Sequence, residues 1–315
     1  MSGAILRAPA KLNFGLEIIG RRPDGFHEIV TILQAVSFED VLTIRNAPDI
    51  SVSCSDPTLT GEANLAFRAL TAIRPSSAVV FMTSSSVPSL SEPSPLHPRP
   101  GAHLHIAKAI PAAAGLGGAS SDAAAALVLA NDQWQLGYSL ATMERIAASL
   151  GSDVPFFLRG GTALATGRGT DLVSLPTPFD SWIVIVSPNI HMPRKTATLY
   201  RSLTGEHFSD GSAVRRQAER LRLGHSLDMN LLANAFVAPL LLLKPELAEI
   251  DQTMRRRGAP FVALSGAGPS HYTMLDSEGA ARDLAHRLRH DFQQTAIVSI
   301  ARPLAKTDEP PIGVG

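Results

Sequence analysis

Cysteine is almost missing from this sequence: Cys54 stands alone among 315 residues. An internal disulfide and a cysteine cage for zinc are therefore excluded, and Cys54 reads as a small apolar strand residue in a chain suited to a reducing compartment. Net charge is missing as well. Lys and Arg together number 28, as do Asp and Glu, so no overall field draws the chain toward nucleic acid or an acidic membrane surface. Long apolar runs are also absent. The longest, 123–130 and 238–243, fall short of the ~20 residues that span a bilayer. The first residues carry Arg7, Lys11 and Glu17 in an alternating pattern, not the apolar core and small-residue cleavage site of a secretory signal. Together these absences predict a cytoplasmic protein that meets small molecules and neither nucleic acid nor membrane. They leave its oligomeric state open.

What is present is enough apolar material for a large core. Hydrophobic residues make up 45% of the chain, which at this length predicts two domains. The first third reads as β-rich runs at 4–7, 12–19, 29–36, 41–45 and 50–53. A helix over 64–73, capped by Asn64, packs on that sheet. Residues 76–100 turn Ser- and Pro-rich, a composition that cannot bury enough apolar surface to offset its ordering, and predict a mobile surface insertion. Next come a strand at 102–110, a glycine-rich turn at 115–118, helices at 121–134 and 140–150, and a strand pair at 162–165 and 171–175. The second half restarts at strand 182–187 and continues with helices at 196–202, 213–223, 230–243 and 246–257. It closes with strands 261–264 and 271–275, helix 278–289 and strand 296–300. The expected class is α+β, with one domain over 1–177 and a second, two-layer domain over 178–315.

The sharpest feature is PAAAGLGGASSDAAAA at 111–126. Glycines without Cβ atoms let backbone N–H groups approach an anion, and the free N–H groups and positive dipole end of the following helix favour negative charge. Ser120 and Ser121 can cap that helix or bond a phosphate. No GK[ST] follows, which excludes a Walker A loop, and Ser120 holds the third glycine position of a dinucleotide fingerprint. A lone GLGG is more often a flexible turn than a binding loop. His103 and His105 share one strand face, but no third ligand has suitable spacing, so no protein metal cage is expected.

The 111–126 string, APAKLNFGLEIIGRRPDGFHEI near the start and LSGAGPS near the end resemble, in order, the three motifs of the GHMP kinases. That resemblance covers about residues 5–275. It implies a two-domain fold: an N-terminal domain like domain 2 of ribosomal protein S5, which is also shared with RNA-binding domains, and a ferredoxin-like C-terminal domain. It also implies ATP as phosphoryl donor, with Mg²⁺ brought by the nucleotide. ATP would lie on Pro111, Ala112, Ala113, Ala114, Gly115, Leu116, Gly117, Gly118, Ala119, Ser120 and Ser121. Within the family, PAKLN, DGFH and GSDVPFF look like the branch that phosphorylates the 2-hydroxyl of a diphosphocytidyl methylerythritol in non-mevalonate isoprenoid synthesis. Lys11 and Asp153 match the catalytic pair. By resemblance Asp153 accepts or orients the hydroxyl proton, while Lys11 holds Asp153 ionised and stabilises charge near the reacting oxygens. Asn13, on the strand face of Lys11, could bond the alcohol.

Phe26 and His27, the aromatic and the histidine of DGFH, would hold the cytosine, with Tyr200 as a second aromatic face or, as readily, a helix Tyr packing on its neighbour. Gly266 and Gly268 belong to the third motif and are expected near the substrate. The alternatives are another kinase of this family, acting on a sugar, homoserine or a mevalonate-type alcohol, and a non-catalytic nucleotide- or RNA-binding protein. Two departures stand out. Ala113 and Ala119 occupy positions where many relatives have glycine, so a positive φ at either would strain the loop. The segment MNLLAN lacks an acidic residue beside Asn230 that relatives often carry.

Overall fold

The computed structural model describes residues 3–75, 100–178, 181–190 and 192–306. The expected insertion at 76–100 lies outside them except for Pro100.

The first sheet is built on two long antiparallel strands, β1 (Ala4–Arg21) and β2 (His27–Ala47). Each replaces two shorter runs expected from the sequence, because β-bulges at Pro9/Ala10, Asn13/Leu16 and Ile18/Gly20 bend the ladder without ending it. One end of β2 pairs with β4 (Gly101–Ala107), which carries β3 (Ser51–Cys54) in parallel. The other end pairs with β5 (Thr162–Thr166), which carries β6 (Asp171–Leu175). Against this sheet pack α1 (Leu65–Ile73), α2 (Gly118–Gln133), α3 (Leu140–Leu150) and the short α4 (Val154–Arg159). Asn64 does cap α1, its side chain accepting from Ala66 N at 2.9 Å.

The second sheet has the order β10 (Ala296–Ala301), β7 (Trp182–Pro188), β9 (His271–Leu275), β8 (Ala263–Leu264). The changeover between sheets falls between Leu175 and Trp182. Strand periodicity divides β7 between two cores. Ile183 and Ile185 join Leu12, Phe14 and Ile32 between the two sheets, whereas Val184 and Val186 face the helical layer. That layer includes α5 (Lys195–Ser202), α7 (Val237–Leu243), α8 (Ala248–Arg256) and α9 (Glu278–Phe292). Helix α6 (Ser212–Arg222) packs on β1 and the core between the sheets. The chain then returns to the first sheet, where Leu304 N donates to Ala35 O at 2.8 Å.

One helix expected from the sequence divides. The apolar stretch 230–243 holds a 3-10 turn at Met229–Leu231 and then α7, with Asn234 between them. Asn234 spends its side chain on backbone, accepting from Phe236 N and donating to Leu264 O and Gly266 O. That local competition for backbone groups breaks a helix.

Candidate active site

Residues 111–121 cross from the end of β4 to the start of α2, and the backbone decides what they can bind. Four successive loop carbonyls are turned inward. Ala113 O accepts from Lys195 Nζ at 2.6 Å and Ala114 O from Ser270 N at 3.1 Å. Gly115 O accepts from Lys11 Nζ at 2.8 Å and Ser265 Oγ at 3.0 Å, and Leu116 O from Lys11 N at 2.9 Å. In a trans peptide the next residue's N–H points opposite to the carbonyl. The N–H groups of Ala114, Gly115, Leu116 and Gly117 therefore face away from this clamp, and among the described residues none has a partner. Gly117 is the N-cap of α2, which starts at Gly118, earlier than the sequence suggests. Gly118, Ala119 and Ser120 thus add the orphan donors of a helix's first turn. The result is one unbroken run of free N–H groups.

Glycine is required at two places in this run. A Cβ on Gly115 (φ 84) would sit 2.3 Å from Ser265 O, and one on Gly117 (φ 74) would sit 2.7 Å from the Phe157 ring. The two alanines differ. Ala119 lies inside α2 and is unstrained, whereas Ala113 has φ 55, in the left-handed region. Neither serine caps the helix; Ser121 Oγ is buried without a partner among the described residues.

Beside the loop, Lys11 and Asn13 project from β1 on the face opposite Leu12. Lys11 Nζ donates to Asn13 Oδ1 at 2.7 Å, and Asn13 Nδ2 donates to Thr31 Oγ1 at 2.8 Å. Lys11 is buried, which lowers its pKa, and the charge of Asp153 opposes that shift. Asp153 stands half-buried at the N-cap of α4, with Pro155 in the first turn and its side chain not used as a cap. The loop clamp is completed by the 265–270 turn. Gly266 is the point of contact with Lys11, since a Cβ there would sit 2.8 Å from Nζ, and Gly268 O accepts from Lys195 Nζ.

The residues expected around a base divide into two groups. His27 and Tyr200 lie with ring centroids 5.0 Å apart, Phe208 is edge-on to His27 at 6.2 Å, and Tyr200 is edge-on to Phe236 at 4.9 Å. Among the described residues His27 Nε2 is buried without a hydrogen-bond partner, and burial together with Arg21 lowers the His27 pKa. Burial raises the Tyr200 pKa, and Asp153 raises it further. Phe26 instead stays 47% exposed, with the Arg168 guanidinium 3.5 Å from its ring centroid.

Several of these groups carried no signal in the sequence. Arg168 and Phe208 are far along the chain from DGFH, and nothing in their surroundings marks them. Lys195 lies in a polar stretch that reads as an ordinary helix start. Lys108 is another case. Its Nζ bridges Asp40 at 2.5 Å and Asp122 at 2.8 Å directly under the loop, while Asp40 Oδ1 also accepts from Ala109 N and Ile110 N. Burial lowers the Lys108 pKa, but the two carboxylates more than offset it and leave it raised. Burial, aided by Asp40 and opposed by Lys108, pushes Asp122 up to about 7.

The GHMP kinases N terminal domain matches residues 75–161, and the GHMP kinases C terminal domain matches residues 215–294. A 4-diphosphocytidyl-2-C-methyl-D-erythritol kinase of Dehalococcoides mccartyi is 37% identical over 300 residues, covering 95% of this chain and 99% of the relative. A crystal structure of 4-(cytidine 5'-diphospho)-2C-methyl-D-erythritol kinase superposes with a TM-score of 0.72 at 30% identity, covering 95% of this chain and all of that one. The homoserine kinase of Cytophaga hutchinsonii shares the fold alone, with a TM-score of 0.68 at 16% identity over 97% of this chain and 96% of its own. The chain therefore belongs to the GHMP kinases, ATP-dependent kinases of small molecules, and within them to the group called 4-diphosphocytidyl-2-C-methyl-D-erythritol kinase.

Proposed function

We propose that this kinase moves the γ-phosphoryl group of ATP onto the 2-hydroxyl of 4-diphosphocytidyl-2-C-methyl-D-erythritol, giving the 2-phosphate and ADP in the non-mevalonate route to isoprenoid precursors. The observation that carries the reading is the run of free N–H groups from Ala114 to Ser120, placed beside the buried Lys11 and near Asp153, whose side chain makes no cap bond. Such a run binds a polyphosphate by backbone alone, and the adjoining pair supplies what the transfer needs. Asp153 accepts the proton of the attacking hydroxyl as that oxygen bonds to the γ-phosphorus and the bond to the β–γ bridging oxygen breaks. Lys11 stabilises the charge that builds on the transferring oxygens, and Asn13 keeps one amide hydrogen for the alcohol after donating to Thr31. The orphaned His27 Nε2 fits a polar edge of the cytosine, with Tyr200 and Phe26 as its aromatic neighbours.

Mg²⁺ is part of the proposal. The donors that fit it are the phosphates and the partnerless Ser121 hydroxyl at the helix entrance, and when bound the ion neutralises phosphate charge. Among the described residues no helix is long and apolar enough to cross a membrane. The half-buried, unpaired Cys54 suits the cytoplasm as the place of action.

The test is ADP release by the purified protein with Mg·ATP and the diphosphocytidyl alcohol, run beside galactose, homoserine and mevalonate. Selective turnover of the diphosphocytidyl alcohol is the expected result. Turnover of another alcohol would keep the phosphate loop and overturn the acceptor, and no turnover with any of them would overturn the kinase reading.

A further inference from the structure

Two ammonium groups bond carbonyls of the phosphate loop among the described residues, and the chemistry proposed above uses only one. The other belongs to Lys195, the first residue of α5, which is 6% exposed. Its Nζ donates to Ala113 O at 2.6 Å and to Gly268 O. Both acceptors are neutral carbonyls, so the ammonium keeps its whole charge in a buried place, an arrangement that is unfavourable for folding by itself. Burial and the nearby charge of Lys11 lower its pKa to about 8.

The geometric gain falls on the first peptide of the cradle. Ala113 is the one non-glycine residue of the loop in the left-handed region, with φ 55, where a Cβ is strained. Its carbonyl is turned inward onto Lys195, so the Ala114 N–H is turned outward, as the first donor of the free run. Without that anchor residue 113 can relax toward negative φ, and the peptide that follows rotates with it. Lys11 does not take over, because two of its three ammonium hydrogens go to Gly115 O and Asn13 Oδ1 and the proposed chemistry assigns the third to the transferring oxygens. Nor can the 265–270 turn, whose Ser270 and Ser265 bond the carbonyls of residues 114 and 115.

We infer that Lys195 is a positioning residue for ATP: it locks the Ala113 peptide so that the Ala114 N–H faces a nucleotide phosphate, and it ties the loop to the third glycine turn at Gly268. This rests on the reading of residues 114–120 as the ATP cradle. Its effect belongs to the nucleotide side and leaves recognition of the acceptor unchanged.

The experiment measures ATP affinity by calorimetry on the full chain without acceptor, together with the KM of both substrates in turnover. The proteins are the wild type, Lys195→Met, and Lys195→Met combined with Ala113→Gly. Loss of a charge-assisted bond predicts roughly tenfold weaker ATP binding in Lys195→Met, a matching rise in the KM for ATP, and a KM for the acceptor within about twofold of wild type. Adding Ala113→Gly should recover about threefold, because glycine takes positive φ freely. Unchanged ATP affinity in Lys195→Met overturns the inference and leaves the cradle standing. Equal losses on both substrates would make Lys195 merely structural and overturn it too. A wild type that binds no ATP overturns the cradle and the inference with it. Should Lys195→Met fail to fold in a thermal melt, Lys195→Gln, whose shorter side chain keeps an NH2 group but no charge, is read in the same assay: weaker ATP binding supports the inference and unchanged binding overturns it.

Discussion

Residues 114–120 present backbone N–H groups in one unbroken run, whereas the proposed acceptor side draws Lys11 and Asn13 from β1, His27 from β2, Asp153 from the start of α4 and Tyr200 from α5. The proposed nucleotide side should tolerate side-chain variation wherever a Cβ fits, since its donors are peptides. It is intolerant wherever glycine lets another chain segment approach. On the proposed acceptor side the side chains would form the site, and the backbone only delivers them. The two halves meet at Lys11, which belongs to both: its backbone N–H and its ammonium hold loop carbonyls, and its charge faces Asp153.

The contrast predicts separable failures. Asp153→Asn should lower turnover at least about 100-fold, the scale of lost general-base catalysis, with ATP affinity nearly intact; single-turnover rates and calorimetry together check this. If ATP binding collapsed as well, the two halves would not be separable. Gly115→Ala should do the reverse. Its Cβ would press on the Ser265 and Gly268 carbonyls at 2.3 and 2.7 Å at a positive φ. Overpacking and backbone strain together predict about 2–4 kcal/mol of lost stability and impaired ATP binding, with binding of cytidine diphosphate unchanged.

The pH dependence sharpens the comparison further. The folded-state pKa of Lys195 is about 8, below the unfolded value near ~10.4, so between the two the unfolded chain binds the extra proton. Stability should therefore rise with pH across that window, by on the order of 2–3 kcal/mol from this group, and Lys195→Met should lack that share of the rise in urea unfolding at pH 7.5 and 9.5. ATP affinity should fall through the same window as the ammonium discharges. The smallest effect is expected at His27→Ala: about a tenfold rise in the KM of the acceptor, the scale of one hydrogen bond, with the KM for ATP unmoved. A rise in both would mean that the base pocket and the cradle are one unit.

How much of this could be read in advance follows the same division. The loop was legible because its chemistry is contiguous: GLGG followed by a helix already specifies close backbone approach and orphan N–H groups. Helices α1 and α3 and strand β9 were legible from caps and periodicity. The break of 230–243 was not, since Asn234 stops the helix through bonds to Leu264 and Gly266, about 30 positions later. The positive φ of Ala113 is a property of the folded chain, where Lys195 holds its carbonyl. Arg168 over Phe26, and Lys108 between Asp40 and Asp122, join residues 142, 68 and 14 positions apart, and no local pattern marks such pairs.

The sequence by itself pointed to the family, to the glycine-rich loop and to Lys11, Asn13 and Asp153 as the residues proposed for the chemistry, because those rest on short strings whose local geometry suffices. Only the tertiary structure decided which way the loop's peptides face, since that depends on Lys11, Lys195, Ser265 and Ser270 arriving from other elements to take four carbonyls. A hydrogen bond needs its partner within about 3 Å, and proximity of that kind is a property of the folded chain rather than of any segment.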